Sequence, residues 1–201
     1  MKLNKKFIFI FLSGTCLFIQ TLCAQSFNKD ENSFSAGYGF GTIIKPFFFD
    51  SETYSESSSS LNGPFYIKYE SAISENIGLG INLAYAQYNL VYDSYFYSSP
   101  PSYQTNLVYT TFSILARMNI HFGDFKKFDP YWGFGVGYRN GSVKSTSNNP
   151  NGLTQMPISI NFPFGFETTL GVRFYATDNF GLYLETGLAK SVMQVGLTIK
   201  L

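Results

Sequence analysis

Chemistry would begin at His121, the single histidine of the 201-residue chain. As a general base it would need a serine to activate and an acid to orient its ring, the set that acyl hydrolysis or transfer requires. The sequence sets no acid beside it on its own face, and it falls next to Gly123 where a strand should end. It therefore reads as a polar side chain at a rim. A metal site would need a second nitrogen ligand or gathered carboxylates, and Asp124, Asp129 and Asp178 fall in separate turns. Gly133-Phe134-Gly135-Val136-Gly137 has the glycine density of a phosphate loop, but no helix follows to receive the anion. These readings leave no catalytic residue, no metal and no cofactor, and so no enzyme.

The other charges follow a pattern. Lys68, Glu70, Arg117, Arg139, Glu167, Arg173, Glu185 and Lys200 each share a face with glycine and small polar residues, opposite a face of large apolar ones. Unpaired charge is costly once buried, so the first expectation is a paired network filling an enclosed interior. The other is the lining of a selective pore. Arg173 and Glu185 form the expected best pair, because a three-residue turn at 177–179 makes them diagonal neighbours on adjacent strands.

Eight strands must position those residues. Alternation of period two marks 33–44, 64–73, 77–92, 106–122, 131–143, 160–176, 180–188 and 192–201. In 77–92, for example, Ile77, Leu79, Ile81, Leu83 and Tyr85 oppose Gly78, Gly80, Asn82, Ala84 and Ala86. A face built so largely of glycine cannot make an apolar core, whereas it suits the cramped polar lumen of a small barrel whose apolar belt touches lipid. The chain is thus expected to be all-β, an eight-stranded antiparallel up-and-down transmembrane barrel. Its connections alternate in length. The turns at 74–76 and 177–179 and the link 123–130 are short, while 45–63, 93–105 and 144–159 are long, as periplasmic turns and extracellular loops are in such barrels. Strands 77–92 and 106–122 exceed the roughly 9–11 residues that cross a bilayer and should stand out into the medium. Ser55 to Ser60 reads as a flexible loop tip.

The ends of the sequence agree with that location. Lys2, Lys5 and Lys6 precede an apolar run from Phe7 to Leu22, and Ala24 offers a cleavage site before Gln25. That is the order of a secretory signal peptide, and the run is too short for the ~20 residues of a spanning helix. The expected organisation is a signal peptide over 1–24, a periplasmic tail over 25–32 and a barrel over 33–201. Cys16 and Cys23 would leave with the signal, excluding disulfides and thiolate chemistry from the mature chain. Losing three lysines would turn a net charge of +1 into −2, with 11 basic residues against 13 acidic, so no basic surface remains for nucleic acid.

At the far end Val195, Leu197, Ile199 and Leu201 alternate with Gln194, Gly196, Thr198 and Lys200. Gln194, Gly196, Ile199 and Leu201 resemble the C-terminal assembly signal of bacterial outer-membrane barrels, with leucine where phenylalanine is usual. Together with Asp129-Pro130-Tyr131-Trp132-Gly133-Phe134-Gly135-Val136-Gly137-Tyr138 and residues 165–201, the chain resembles the small outer-membrane barrels that include the OmpA transmembrane domain and OmpX. The glutamine after the cleavage site and the aromatic richness look like a Bacteroidetes member. The resemblance implies the cell outer membrane as location, and outer-membrane lipids and the barrel assembly machinery as partners, with the protein a monomer. Its members serve as adhesins, immune-evasion factors, tethers or narrow pores. Loop aromatics Phe47, Phe48, Phe49, Tyr95, Phe96, Tyr97 and Tyr103 favour adhesion or another surface interaction with host or matrix ligands. A narrow porin or solute-specific channel is the alternative.

Overall fold

A computed structural model describes residues 27–42, 55–94, 103–123, 125–148 and 163–201. They form eight strands: β1 (Asn32–Thr42), β2 (Ser55–Ala72), β3 (Ile77–Ser94), β4 (Tyr103–His121), β5 (Phe128–Ser147), β6 (Phe164–Tyr175), β7 (Phe180–Leu188) and β8 (Ser191–Lys200). Each strand pairs antiparallel with the next, and β1 pairs with β8 from Ser33↔Lys200 to Thr42↔Ser191. The barrel is closed, so it has no free edge over the height of β1 and β8. The proposed signal peptide and the aromatics Phe47, Phe48, Phe49, Tyr95, Phe96 and Tyr97 lie outside the described residues.

Tight turns hold one end. Ser74 Oγ accepts from the Ile77 amide at 3.1 Å between β2 and β3, and Thr177 Oγ1 accepts from the Phe180 amide at 3.0 Å between β6 and β7. Small hydroxyl side chains substitute here for a missing backbone acceptor. At this end Phe27 to Glu31 folds back on the barrel, with the Asp30 amide donating to Ala72 O at 3.1 Å and the Ala72 amide to Glu31 O at 2.8 Å. From Phe27 on, the segment read as a tail thus packs against this end of the barrel.

Strand lengths divide the wall. β2 to β5 have 18, 18, 19 and 20 residues, against 11 for β1 and 12, 9 and 10 for β6 to β8. All the excess lies at the end away from the tight turns. Ser55 to Ser60 belongs to β2, paired with β3 through Ser59↔Leu90 and Ser60↔Asn89, so it is strand and not a loop tip. Lower down, Asn62↔Gln87 is followed by Phe65↔Tyr85, leaving one extra residue on β2. Gly63 at φ +92° provides the left-handed backbone for that bulge. Without it the facing of everything below would invert.

The two faces are inside out relative to a water-soluble domain. Large apolar side chains point outward, with Ile81 48% and Leu170 58% exposed, while Arg117 and Glu185 inside are 5% and 1% exposed. Aromatics bound this outer belt: Phe112 and Phe122 lie ten residues apart on and just past β4, and Phe164 and Phe174 are ten apart on β6. At about 3.3 Å per residue and a tilt of roughly 40°, ten residues rise about 25 Å, the height of a membrane barrel's apolar band.

Candidate functional site

Alternation sends Lys68 and Glu70 of β2, Arg117 of β4, Asp129 of β5, Glu167 and Arg173 of β6, and Glu185 of β7 into the lumen. Glycines make room for them. A Cβ at Gly133 would lie 2.1 Å from the Arg117 guanidinium, and one at Gly37 would lie 2.2 Å from the Tyr183 hydroxyl. The glycine face is thus space into which long side chains from nearby strands extend.

Near the tight turns, Glu70 and Asp129 face Arg173 and His121. His121 Nε2 lies 2.7 Å from Glu70 Oε1, and Nδ1 lies 2.6 Å from Asp129 Oδ1. With carboxylate acceptors on both sides, both ring nitrogens act as donors, the hydrogen-bonding pattern of an imidazolium. Arg173 donates to the other oxygen of Glu70 and, at 3.4 Å, to Asp129 Oδ2, and its guanidinium lies 4.7 Å over the Tyr131 ring. Phe27 stacks on His121 with centroids 3.6 Å apart and planes 8° from parallel.

The middle of the lumen is bonded as closely. Glu185 Oε1 accepts from Arg117 at 3.0 Å and from the Tyr131 hydroxyl at 2.7 Å, and Lys68 Nζ is 2.8 Å from its Oε2. Glu167 receives Arg117 at 2.7 Å and the Asn82 amide at 2.8 Å. Arg117 also donates to Asn119 and Thr169, both at 2.8 Å. Lys68 donates to Gln194 at 2.8 Å. The cavity beside Lys68, Glu70 and Arg117 is about 10 Å³, close to the minimum for one water.

Two corrections to the sequence reading follow. Arg173 and Glu185 are diagonal neighbours, with Tyr183 opposite Arg173 in the β6–β7 register, but they are not an ion pair: each charge is bonded across the lumen to another strand. His121 is not an open rim residue but 4% exposed between two acids, one of them Asp129, which lies on β5 and not in a turn. No ring nitrogen remains to act as base for a serine.

Other predicted residues lie apart. Lys200 is at the tight-turn mouth, bonded to Glu31 at 2.9 Å and 4.8 Å over the Tyr175 ring. Arg139 sits half-buried at the opposite mouth, and its one described acceptor is Phe166 O at 3.4 Å. Tyr103 falls at the start of β4, with Ser94 opposite it. Of the terminal set, Gln194 faces the lumen, Gly196 lies under the Tyr183 ring, and Ile199 and Leu201 face outward.

Lys190, in the short β7–β8 turn, was not singled out in the sequence. It is 1% exposed and donates to Thr111 Oγ1 at 2.7 Å. Burial, and after it the nearby Arg139, push its ammonium down to about 7, against a smaller opposing pull from Glu167. The sequence had one signal for it, a lysine in a turn too short to carry its side chain clear of the mouth.

An apolar outer belt around a closed, charge-filled axis defines a membrane-spanning β-barrel of the small, up-and-down class. No family model matches the chain, and no curated protein matches it in sequence. Similar solved structures include the attachment invasion locus protein Ail of Yersinia pestis, with 15% identity over 86% of this chain and 96% of that one, at a TM-score of 0.38. The outer membrane protein OprG from Pseudomonas aeruginosa has 10% identity over 89% and 99%, at 0.46. The N-terminal β-barrel domain of OprF from the same organism has 15% identity over 86% and 96%, at 0.36.

Proposed function

We propose that this protein is an outer-membrane barrel that works through the wall it raises above the bilayer, as an adhesin or other cell-surface interaction protein, and not by passing solutes through its lumen. The observation that carries this is the contrast between a bonded interior and the seven to nine residues by which β2 to β5 outrun β1. Among the described residues, interlocked ion pairs fill the middle of the lumen, and the cavity beside Lys68, Glu70 and Arg117 has room for about one water, which argues against a continuous path for a solute. Among the described residues, the extended half-wall has backbone without a strand partner on β2 above β1 and on β5 above β6, which suits capture of an extended segment of a partner.

In this reading residues 1–24 are a removed signal peptide, the tight turns face the periplasm, and the long connections face the medium. The alternation of Gln194, Gly196, Ile199 and Leu201 addresses the chain to the assembly machinery. The deciding experiment is single-channel recording of the refolded mature chain in planar bilayers, paired with binding of intact cells to host matrix proteins. No steady conductance, together with binding that is lost when 55–61 and 141–147 are shortened, supports surface interaction. Steady conductance with selectivity altered by Glu167→Gln would establish the narrow porin instead.

A further inference from the structure

The lumen's charges balance by level except at one. Near the tight turns Glu70 and Asp129 meet Arg173 and His121. In the middle Glu167 and Glu185 meet Lys68 and Arg117. At the mouth opposite the tight turns stand Lys190 and Arg139, and among the described residues neither is within ion-pair distance of a carboxylate. Glu167, the acid below them, is already bonded to Arg117 and Asn82.

These two cations converge on one strip of β4. Lys190 bonds to Thr111, and Arg139 is the register partner of Ser113, two residues further along the same face. Ser113 is 0% exposed, and among the described residues neither its hydroxyl nor Arg139 Nε has a partner. Lys190 uses one of its three protons among the described residues. The wall around them is small, with Ala84 opposite Ser113, Ala86 opposite Thr111, and Gly165 beside Arg139. Unmet donors and two cations of like charge held together make an arrangement that a compact anion would satisfy.

We propose that this mouth of the lumen is a binding site for a small oxyanion of the sulfate or phosphate class, held between Lys190 and Arg139 with the Ser113 hydroxyl as a third donor. The anion arrives free or as the terminal group of a sugar. The charged and titratable side chains around Lys190 are Arg139 from β5, Glu167 from β6 and Tyr66 from β2, whose hydroxyl is engaged with Ser191 at 2.9 Å. Since burial beside Arg139 pushes the Lys190 ammonium down to about 7, binding should tighten as the pH falls through about 7.

Sulfate is the probe, because its own charge is constant over that range. The mature chain, refolded in octyl glucoside, is titrated with sodium sulfate against a sodium chloride background by isothermal calorimetry at pH 6, 7 and 9. Saturable binding is expected, tighter at pH 6 than at pH 9 by about tenfold or more. Lys190→Met should abolish both the binding and its pH dependence, Arg139→Gln should weaken it about tenfold, and Lys190→Arg should restore binding without the pH dependence. Lys200→Gln, at the opposite mouth, should change nothing. Tighter binding of glucose 6-sulfate than of sulfate would identify an anionic saccharide as the source, and weaker binding the free ion. Absence of saturable sulfate binding, or equal affinity in the wild type and Lys190→Met with both folded by heat-modified gel migration, overturns the proposal.

Discussion

The two ends of the lumen solve the same problem in opposite ways. Toward the tight turns and through the middle, each cation shares a carboxylate with a neighbour. At the other mouth Lys190 and Arg139 are held together, and among the described residues neither has a carboxylate within ion-pair distance. A chain able to place Glu70, Asp129, Glu167 and Glu185 so closely against their partners could have placed a fifth acid at the mouth. The difference separates charge that fixes the wall from charge left available, and the two should respond differently to mutation.

Breaking the paired region should have the largest effect. Arg117→Ala takes from Glu167 its one ion-pair partner among the described residues and leaves Glu185 with Lys68 alone, and should lower stability by about 3–5 kcal/mol, less if water enters, read as the urea midpoint of refolding into micelles. An unchanged midpoint would mean that the middle of the lumen is solvated and the contrast between the ends is false. Next in size is the coupling of Lys68 and Glu185, which a double-mutant cycle should place at roughly 1–3 kcal/mol. Arg173 and Glu185 should couple more weakly than that pair, because they meet only through Tyr131.

The opposite mouth should respond with the opposite sign. Lys190→Met removes a buried cation with no carboxylate at ion-pair distance among the described residues and should stabilise the barrel by roughly 1 kcal/mol at pH 7. The pH dependence follows the same logic. Unfolded, Lys190 keeps its proton up to its ordinary value of 10.5; folded, it gives it up near 7. Between those values the unfolded chain binds the extra proton, so wild-type stability should rise as the pH goes from 7 toward 10. That rise should be smaller in Lys190→Met, and an identical slope in both would show that the ammonium is solvated.

The strands were legible where lipid imposes alternation and obscure where it does not. Phe180–Leu188 alternates without a break and its limits are those of the sequence reading. Ser55–Ser60 was read as loop because that length of β2 stands above the belt, where neither face must be apolar. The lumen was legible by face but not by partner. Parity puts Arg173 and Glu185 inside, yet contacts there run across the barrel to strands far away in sequence, as Arg173 does to Glu70. Asp129 was lost to a turn because Pro130 follows it. Proline is tolerated near the start of a strand, and here Pro130 needs only to accept, from the Phe122 amide at 2.9 Å.

Phe27 and Glu31 touch three separated parts of the wall: His121 at the end of β4, Ala72 at the end of β2 and Lys200 on β8. The first two can be in place in an open sheet, because β3 joins β2 to β4, but Lys200 joins them only when β8 pairs with β1. The segment can make all of its contacts only after the cylinder has closed, so its position is an order in time as well as in space. Proteolytic cutting near Asn28 during assembly would therefore act as a clock, persisting while the wall is open and ceasing when the first part of the chain is covered by the last.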